Sequence, residues 1–243
     1  MATFVLVHGG GHGGWCWKWT ARLLREQGHD VYTPTLTGFG DRSHLTNAAT
    51  GFQTFLDDLV NTIRFEDLSD VMLVGHSMGG AIIPRVAEIA PEQIASVIWL
   101  AGAVCADGET LLDTIPQSPW VAKAVTLGAD GTAHTDPELI LDANLNDGTP
   151  EQRAFVRDRH LPYPPFALTE PGRLSAFLAL DLPTAYIVTT LDQTIEPPVQ
   201  RSLAQRLPNC RVRDIIAGHD SMITRPDLTS AALLDLIRED LVE

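Results

Sequence analysis

The chain has 243 residues, with 31 Asp or Glu against 17 Lys or Arg and a formal net charge of -14 at pH 7. That length suits one full-sized domain, and the ordinary apolar and charged fractions exclude a disordered or fibrous chain. Because an acidic surface repels phosphate backbones and anionic lipids, we expect neither nucleic acid nor a membrane as a partner.

The start of the chain and its cysteines favour a cytoplasmic protein. The apolar run at residues 4–7 is far shorter than the about 20 residues of a membrane span, and no basic secretory signal precedes it. Cys16, Cys105 and Cys210 are widely spaced and odd in number, as free thiols in a reducing compartment would be. No Cys and His pair has zinc-site spacing, so we expect no metal.

Short β-branched runs alternate with longer amphipathic runs along the chain. In chain order, the patterns predict a strand at 4–7, a helix at 15–27, a strand at 31–33, a helix at 52–64, a strand at 71–74, a helix at 78–90, strands at 94–101 and 185–189, a helix at 199–207, a strand at 212–216 and a helix at 227–241. This alternation predicts one α/β domain over residues 1–243, with a mainly parallel sheet of about six strands flanked by helices.

One interval interrupts the alternation. Between about Val104 and Leu182 no buried strand is evident, and the interval contains eight prolines. Structureless loops of that length are rare in compact domains, so the interval is expected to have its own helical structure. We therefore predict a helical cap at residues 103–182, inserted after the strand that ends near Ala101.

The segment Gly-His-Ser-Met-Gly-Gly at residues 75–80 follows four apolar strand residues and precedes a predicted helix. A serine between glycines in a strand–turn–helix setting is typical of a nucleophile on a sharp, strained turn. Such a turn presents the Ser77 hydroxyl at the C-terminal edge of the sheet, near the positive end of the helix. A phosphate loop is disfavoured, because the G-x-x-x-x-G-K-[ST] pattern is absent.

A glycine-rich stretch follows the first predicted strand, with glycine at five of the six positions from 9 to 14. Glycines leave backbone amides unshielded, which the stabilisation of an alkoxide requires. One donor would come from this loop and the other from the residue after the nucleophile, which predicts the amides of Gly10 and Met78. The stretch also matches G-x-G-x-x-G, but residues 33–35 lack the acidic residue of a dinucleotide site.

Two histidines lie in this glycine-rich stretch. His8 and His12 are four residues apart, but a run of glycines is not a helix, so this spacing does not indicate a metal site. We expect His8 to hydrogen-bond the loop and His12 to line a substrate pocket.

His219 follows the last predicted strand, behind Ala217 and Gly218. From there its ring can reach the nucleophile, so we predict it as the general base. His76 adjoins Ser77 and is expected to point away from it.

The predicted acid is a carboxylate between the nucleophile and the base in chain order. Asp192 follows the strand predicted at 185–189, at the same sheet edge, where it can fix the tautomer of the imidazole. Glu196 is a weaker rival. The side chain of Asp220, next to the base in sequence, is expected to face elsewhere.

These residues resemble those of the α/β-hydrolase superfamily over essentially the whole chain, and more narrowly the group of plant methylesterases, plant hydroxynitrile lyases and their bacterial esterase relatives. The matching segments are FVLVHG at 4–9 with GGW at 13–15, TLTG at 35–38 with RSHL at 42–45, GHSMGG at 75–80, and Tyr186 and Ile187 with Asp192. The resemblance implies the α/β-hydrolase fold, with residues 4–7 equivalent to the third strand of larger members.

Two departures from the lyases favour the esterase branch. The lyases resembled here have a threonine at the position of Gly10 and a lysine directly after the histidine, where this chain has Asp220. Without that cation, cyanohydrin cleavage is disfavoured.

The expected function is cleavage of a carboxylic ester, either a small or medium apolar ester, a methyl ester or a lactone, through an acyl-enzyme intermediate. The partner is then a small-molecule ester, no cofactor is needed, and a homodimer is left open. Two alternatives are a non-hydrolytic lyase or cyclase and a small-molecule receptor. Besides His12, four aromatic residues of the predicted cap are candidate pocket residues, namely Trp120, Phe155, Tyr163 and Phe166.

Overall fold

A computed structural model describes residues 1–46, 50–115, 125–129 and 132–240. Within them a six-stranded sheet has the strand order β2-β1-β3-β4-β7-β8, and every neighbouring pair is parallel. The strands of the chain are β1 (Thr3–Val7), β2 (Asp30–Tyr32), β3 (Val71–His76), β4 (Ile94–Leu100), β5 (Val125–Leu127), β6 (Ala133–Thr135), β7 (Thr184–Thr189) and β8 (Arg211–Ile215). The predicted parallel α/β sheet is confirmed.

Helices cover both faces of this sheet. The α-helices are α1 (Lys18–Glu26), α2 (Phe52–Phe65), α3 (Gly79–Ile89), α4 (Leu111–Thr114), α5 (Pro137–Asn144), α6 (Pro150–Arg157), α7 (Phe166–Thr169), α8 (Leu174–Leu178), α9 (Pro197–Ala204), α10 (Ser221–Thr224) and α11 (Pro226–Asp240). Short 3₁₀ helices span Gly14–Trp17, Gly40–Leu45 and Pro91–Gln93. Among the described residues, no helix is long and apolar enough to cross a membrane.

The central strands are mostly apolar because each face of the sheet packs on a separate core. Along β1, Val5 and Val7 contribute to the core shared with α2, α3 and α9, and Phe4 and Leu6 contribute to the core shared with α1 and α11. Successive side chains of a strand point to opposite faces, so a strand covered on both sides needs apolar residues at every position. The same packing holds β3, all six residues of which are buried.

In the described part of the interval between β4 and β7, the helices α4 to α8 agree with the helical cap that was predicted. The interval also contains the antiparallel hairpin of β5 and β6, which pairs Thr126 with His134 and was not predicted. Tyr163 extends this hairpin through an isolated bridge to Ala133. Strands of three residues are too short to show an alternating pattern, so the sequence did not predict them.

Smaller differences lie at the helix starts. The helix predicted from residue 15 begins as the 3₁₀ turn Gly14–Trp17 and becomes α-helical at Lys18. The helix predicted from Met78 has that residue as its N-cap. Both differences are within the uncertainty of helix ends, which fray and tighten.

Candidate active site

Ser77 lies on the turn between the end of β3 and the start of α3, with a backbone φ of +51°. A residue other than glycine rarely adopts this left-handed conformation, which the surrounding structure has to enforce. The turn is held by backbone hydrogen bonds: the Ser77 amide donates to the Leu100 carbonyl, and the Ser77 carbonyl accepts from the amides of Gly80 and Ala103. The strained turn predicted from the sequence is therefore present.

Two glycines allow the turn to pack closely. A β-carbon at Gly75 would lie 2.8 Å from backbone atoms of Gly79, and one at Gly79 would lie 2.9 Å from the carbonyl oxygens of Val7 and His8. These are backbone atoms that cannot rotate away. The two glycines thus let the first turn of α3 approach the end of β1.

The substitution Gly79→Ala is expected to destabilise the fold by about 1–3 kcal/mol, because the added methyl group displaces the backbone of β1 from α3. The free energy of unfolding in urea would measure this cost. Gly51→Ala is the control: nothing lies within 4 Å of its β-carbon position, and a change at this helix N-cap should cost less than about 1 kcal/mol. Equal destabilisation by both substitutions would contradict the close-packing explanation.

His219 and Asp192 meet at the C-terminal edge of the sheet. His219 follows β8 and Asp192 follows β7, and these two strands are parallel neighbours. The Nδ1 of His219 lies 2.7 Å from Oδ2 of Asp192, and both side chains are buried. Because a carboxylate only accepts, Nδ1–H donates and leaves Nε2 as the basic nitrogen.

The carboxylate of Asp192 accepts further hydrogen bonds that fix its orientation. Oδ1 accepts from the amides of Thr194, at 2.7 Å, and Ile195, at 2.9 Å. Oδ2 accepts from the Thr189 hydroxyl, at 2.9 Å, and from the Gln200 side-chain amide, at 2.8 Å. Both carboxylate oxygens are therefore held by donors on the protein.

Gln200 was not predicted from the sequence. Its amide group also accepts from the Thr189 amide and donates to the Ile195 carbonyl, and its side chain is fully buried. One signal was available, because Gln200 shares the buried face of α9 with Leu203 and Ala204. A polar residue on an apolar helix face needs buried hydrogen-bond partners.

The pKa of His219 is raised. Burial acts to lower it, but the charge of Asp192 and the hydrogen bond to it raise it, and Asp220 adds to this effect. His76, the other histidine beside Ser77, has its pKa lowered well below the usual value, chiefly by burial. Its Nε2 lies 3.1 Å from the carbonyl oxygen of His219, so it contacts the backbone of the base and not the basic nitrogen.

The glycine loop after β1 orients the amide of Gly10. The carbonyl oxygen of Gly9 is 2.8 Å from Nδ1 of His8 and accepts from the amide of His12 at 3.4 Å. The Gly9 carbonyl and the Gly10 N–H belong to one planar trans peptide and point in opposite directions, so these bonds aim the Gly10 N–H away from His8. The His8 ring also accepts from the Leu36 amide, as expected of a residue that bonds the loop.

The predicted pocket residues have different surroundings. The Tyr163 hydroxyl lies 3.2 Å from the position of a β-carbon on Gly10, and the ring stacks on Phe39. Burial raises the pKa of Tyr163 to about 12, so the phenol stays neutral. Phe155 instead packs on Trp15 and Trp19, as a residue that holds the cap on the domain would.

Of the other predicted pocket residues, the structure describes only the side chain of His12. Trp120 lies outside the described residues, and Phe166 is the first residue of α7. His12 is buried, with Nδ1 2.7 Å from the Gly10 carbonyl oxygen and Nε2 3.0 Å from Oδ2 of Asp220. Its ring nitrogens are therefore taken up by the protein.

The expectation that the Asp220 side chain faces elsewhere is wrong, because its carboxylate lies within 4.8 Å of a ring nitrogen of His219 and faces two other histidines. Oδ1 is 3.7 Å from Nε2 of His76, and Oδ2 bonds His12. Donor atoms of His76, His219 and Asp220 lie within 4.8 Å of one another, where the ligands of a tetrahedral zinc ion would be about 3.3 Å apart. Since Nε2 of His76 faces a carbonyl oxygen, we assign this cluster to hydrogen bonding.

The sequence model of the Alpha/beta hydrolase family matches residues 4–232. A carbendazim hydrolyzing esterase from Nocardioides sp. (strain SG-4G) is 34% identical over 93% of this chain and 96% of its own length. Putative methylesterase 13, chloroplastic, of Arabidopsis thaliana is 29% identical over 96% of this chain, which spans 55% of that protein. An extracellular alpha/beta-hydrolase from a Paenibacillus species superposes with a TM-score of 0.86 and 26% identity, over 97% of this chain and 98% of that one.

Proposed function

The chain belongs to the alpha/beta hydrolase family and is an ester-cleaving enzyme, and from that premise we propose that Ser77, His219 and Asp192 are its catalytic triad. The observation that carries this assignment is the 2.7 Å contact between Nδ1 of His219 and Oδ2 of Asp192. This contact joins residues 27 positions apart, at the sheet edge where β3 ends in the strained turn that carries Ser77.

The triad supports acyl transfer in two steps. In the first, Nε2 of His219 accepts the hydroxyl proton while Oγ of Ser77 attacks the ester carbonyl carbon. The resulting oxyanion accepts hydrogen bonds from the amides of Gly10 and Met78, each worth about 3 kcal/mol of barrier. His219 then gives its proton to the departing alkoxide, which leaves as the alcohol. The acyl group remains on the enzyme as an ester of Ser77.

The second step repeats this chemistry with water. His219 takes a proton from the water molecule as its oxygen attacks the acyl carbon, and the same two amides hold the second oxyanion. Collapse of that intermediate returns the proton to Oγ of Ser77 and releases the carboxylic acid. Asp192 stabilises the imidazolium in both steps and keeps its own charge.

The substrate class that we propose is a small or medium apolar ester, including methyl esters and lactones. The neutral phenol of Tyr163 lies beside Gly10 and its ring stacks on Phe39, which makes the surface that these two rings form apolar. Carboxylic esters carry no charge, so such surroundings accept them without the desolvation penalty of a buried ion.

The test is hydrolysis of p-nitrophenyl acetate and p-nitrophenyl butyrate. A burst of p-nitrophenol equal to the enzyme concentration, followed by steady turnover, supports acylation of one serine. A panel of methyl esters and lactones of similar size would then rank the substrates. Tight binding of these esters without turnover would instead identify a receptor.

The pH dependence should show the raised pKa of His219. Only the neutral imidazole accepts the proton of Ser77, so kcat/KM is expected to fall as the pH drops, with a midpoint above the usual histidine value of 6.5. Below the midpoint the loss is tenfold per pH unit. Initial rates at constant ionic strength would measure this profile, and a rate that stays constant down to pH 5 would contradict the assignment of His219 as base.

We also propose a cytoplasmic location, because Cys16 and Cys105 are buried free thiols of the kind that a reducing compartment preserves. Cell fractionation tests this location. A homodimer stays a prediction, to be tested by light scattering.

A further inference from the structure

His12 contacts hydrogen-bond acceptors at both of its ring nitrogens. Nδ1 is 2.7 Å from the carbonyl oxygen of Gly10, and Nε2 is 3.0 Å from Oδ2 of Asp220. The His12 side chain is 1% exposed and that of Asp220 is fully buried, so bulk water does not compete for either contact. The proposed mechanism assigns no step to these two residues.

This arrangement determines the protonation state of the ring. A neutral imidazole has one N–H and could donate to the Gly10 carbonyl or to Asp220, but not to both. The imidazolium has two N–H groups and satisfies both contacts, and the buried carboxylate supplies the countercharge that a buried cation requires. The contacts therefore favour doubly protonated His12 beside ionised Asp220.

The alternative is a protonated Asp220 that donates to a neutral His12. The pKa of Asp220 argues against it: burial acts to raise this value, but His12 and its hydrogen bond lower it to about 2. For His12, burial lowers the pKa, and the Asp220 carboxylate and the hydrogen bonds raise it above the usual value. Both directions favour the charged pair.

Two histidine rings beside His12 are neutral. His76, at the end of β3, and His160, from the cap, have ring centroids 6.1 and 5.9 Å from that of His12. Burial lowers the pKa of His160 to about 4 and that of His76 well below the usual value. Trp15 stacks on the remaining face. Asp220 therefore supplies the countercharge from the turn after β8.

We propose that the His12 imidazolium and the Asp220 carboxylate form a permanent buried pair that positions the glycine loop for oxyanion binding, an inference that rests on the proposed function. Through Nδ1 the ring holds the Gly10 carbonyl, and through its backbone amide His12 holds the Gly9 carbonyl. These two carbonyls belong to the peptide units on either side of Gly10, so together they orient its N–H. His12 and Asp220 are positioning residues, since neither touches the reacting atoms.

The proposal predicts that removing the charge of Asp220 lowers the rate even when the shape of the side chain is kept. With the isosteric change Asp220→Asn the buried ring has no countercharge, so it releases a proton and keeps a single N–H. The asparagine amide can either donate to Nε2 or accept from it, so the neutral ring donates to the Gly10 carbonyl in only one of its two tautomers. The hold on the Gly10 peptide is then weakened. A displacement of about 1 Å at an oxyanion donor costs roughly 100-fold in rate.

The first test needs no ester. Protein labelled with ¹⁵N in its histidines, assigned through the backbone, reports whether each ring nitrogen carries a proton. We expect both nitrogens of His12 to carry protons at pH 7, above the usual histidine pKa of 6.5, and one to lose its proton in Asp220→Asn. A neutral His12 at pH 7 in the unaltered protein would overturn the proposal.

The second test separates positioning from ground-state binding. Asp220→Asn is expected to lower kcat by 10- to 100-fold with KM changed by less than about threefold, because only the transition state uses the oxyanion donors. Affinity for an alkylboronic acid, which forms a tetrahedral adduct on serine, should fall by a similar factor. The control is Asp214→Asn, an exposed carboxylate that pairs with Arg201, which should leave both unchanged. An unchanged kcat, or equal losses in kcat and 1/KM, would overturn the positioning role.

A third variant covers the case in which Asp220→Asn does not fold. His12→Phe combined with Asp220→Leu leaves no buried charge, and such apolar replacements of buried ion pairs are often tolerated. We expect a stable protein with kcat lowered by 10- to 100-fold. A stable double variant with undiminished kcat would show that the pair is only structural. If the unaltered protein hydrolyses no ester, the proposed function fails, but the protonation state of His12 still decides whether the pair exists.

Discussion

Replacing Ser77 with alanine is expected to lower kcat for p-nitrophenyl esters by roughly 10⁶-fold, to what the oxyanion donors and binding alone supply. No acyl-enzyme can form without the hydroxyl, so the initial burst of p-nitrophenol should also disappear. The fold should persist, because the side chain of Ser77 makes no contact on which the turn depends. The turn is held by backbone groups, through the Ser77 amide and carbonyl.

Labelling by a fluorophosphonate probe tests the nucleophilicity of Ser77 without a substrate. The unaltered protein should be labelled at Ser77 in equimolar amount, and Ser77→Ala should not be labelled. Ser69→Ala is the matched control, because Ser69 is an exposed residue ahead of β3 and should keep full rate and labelling. Labelling that persists in folded Ser77→Ala would mean that another residue is the nucleophile.

The change Asp192→Asn is expected to lower kcat by roughly 10⁴-fold. The carboxylate accepts five hydrogen bonds, from Thr189, Thr194, Ile195, Gln200 and His219. In asparagine one carboxylate oxygen is replaced by an NH₂ group, which donates and does not accept. If this NH₂ group takes the place of Oδ2, it faces the donors of Thr189 and Gln200. His219 would then present its proton on the wrong nitrogen, and Nε2 could no longer accept from Ser77.

Steady-state kinetics and urea unfolding of the same protein separate lost catalysis from lost stability. Glu196→Gln is the control, since Glu196 is exposed at the start of α9 and was the weaker candidate for the acid. It should retain the rate of the unaltered protein. The assignment of Asp192 is wrong if Asp192→Asn keeps a near-normal rate and Glu196→Gln does not.

The sheet could be predicted because its signals are local. Residues 4–7 of β1 and 71–74 of β3 are all apolar since both faces are covered, and this pattern is visible without knowing which helix covers which face. The glycines at 75 and 79 likewise indicated a tight turn, and the structure shows the backbone contacts that exclude a side chain there.

The cap was predicted less completely. Its hairpin consists of two three-residue strands, and each is stabilised by a pairing partner and not by its own pattern. Its contribution to the site was also unpredictable in detail: of two aromatic candidates, Tyr163 lies beside Gly10, whereas Phe155 packs on Trp19. In the sequence both residues are simply aromatic positions of the predicted cap, and nothing local separates their roles.

The amino-acid sequence by itself determined the α/β class, the strand-turn-helix that holds Ser77, and the candidates for base and acid, because each depends on neighbours within about ten positions. The tertiary structure alone decided which polar residues meet. Gln200 reaches Asp192 across a helix turn and a loop, and His12 meets Asp220 over 208 positions of sequence. A buried hydrogen bond or ion pair depends on the distance between two groups in space and on the exclusion of water from them. Local sequence patterns predict neither of these.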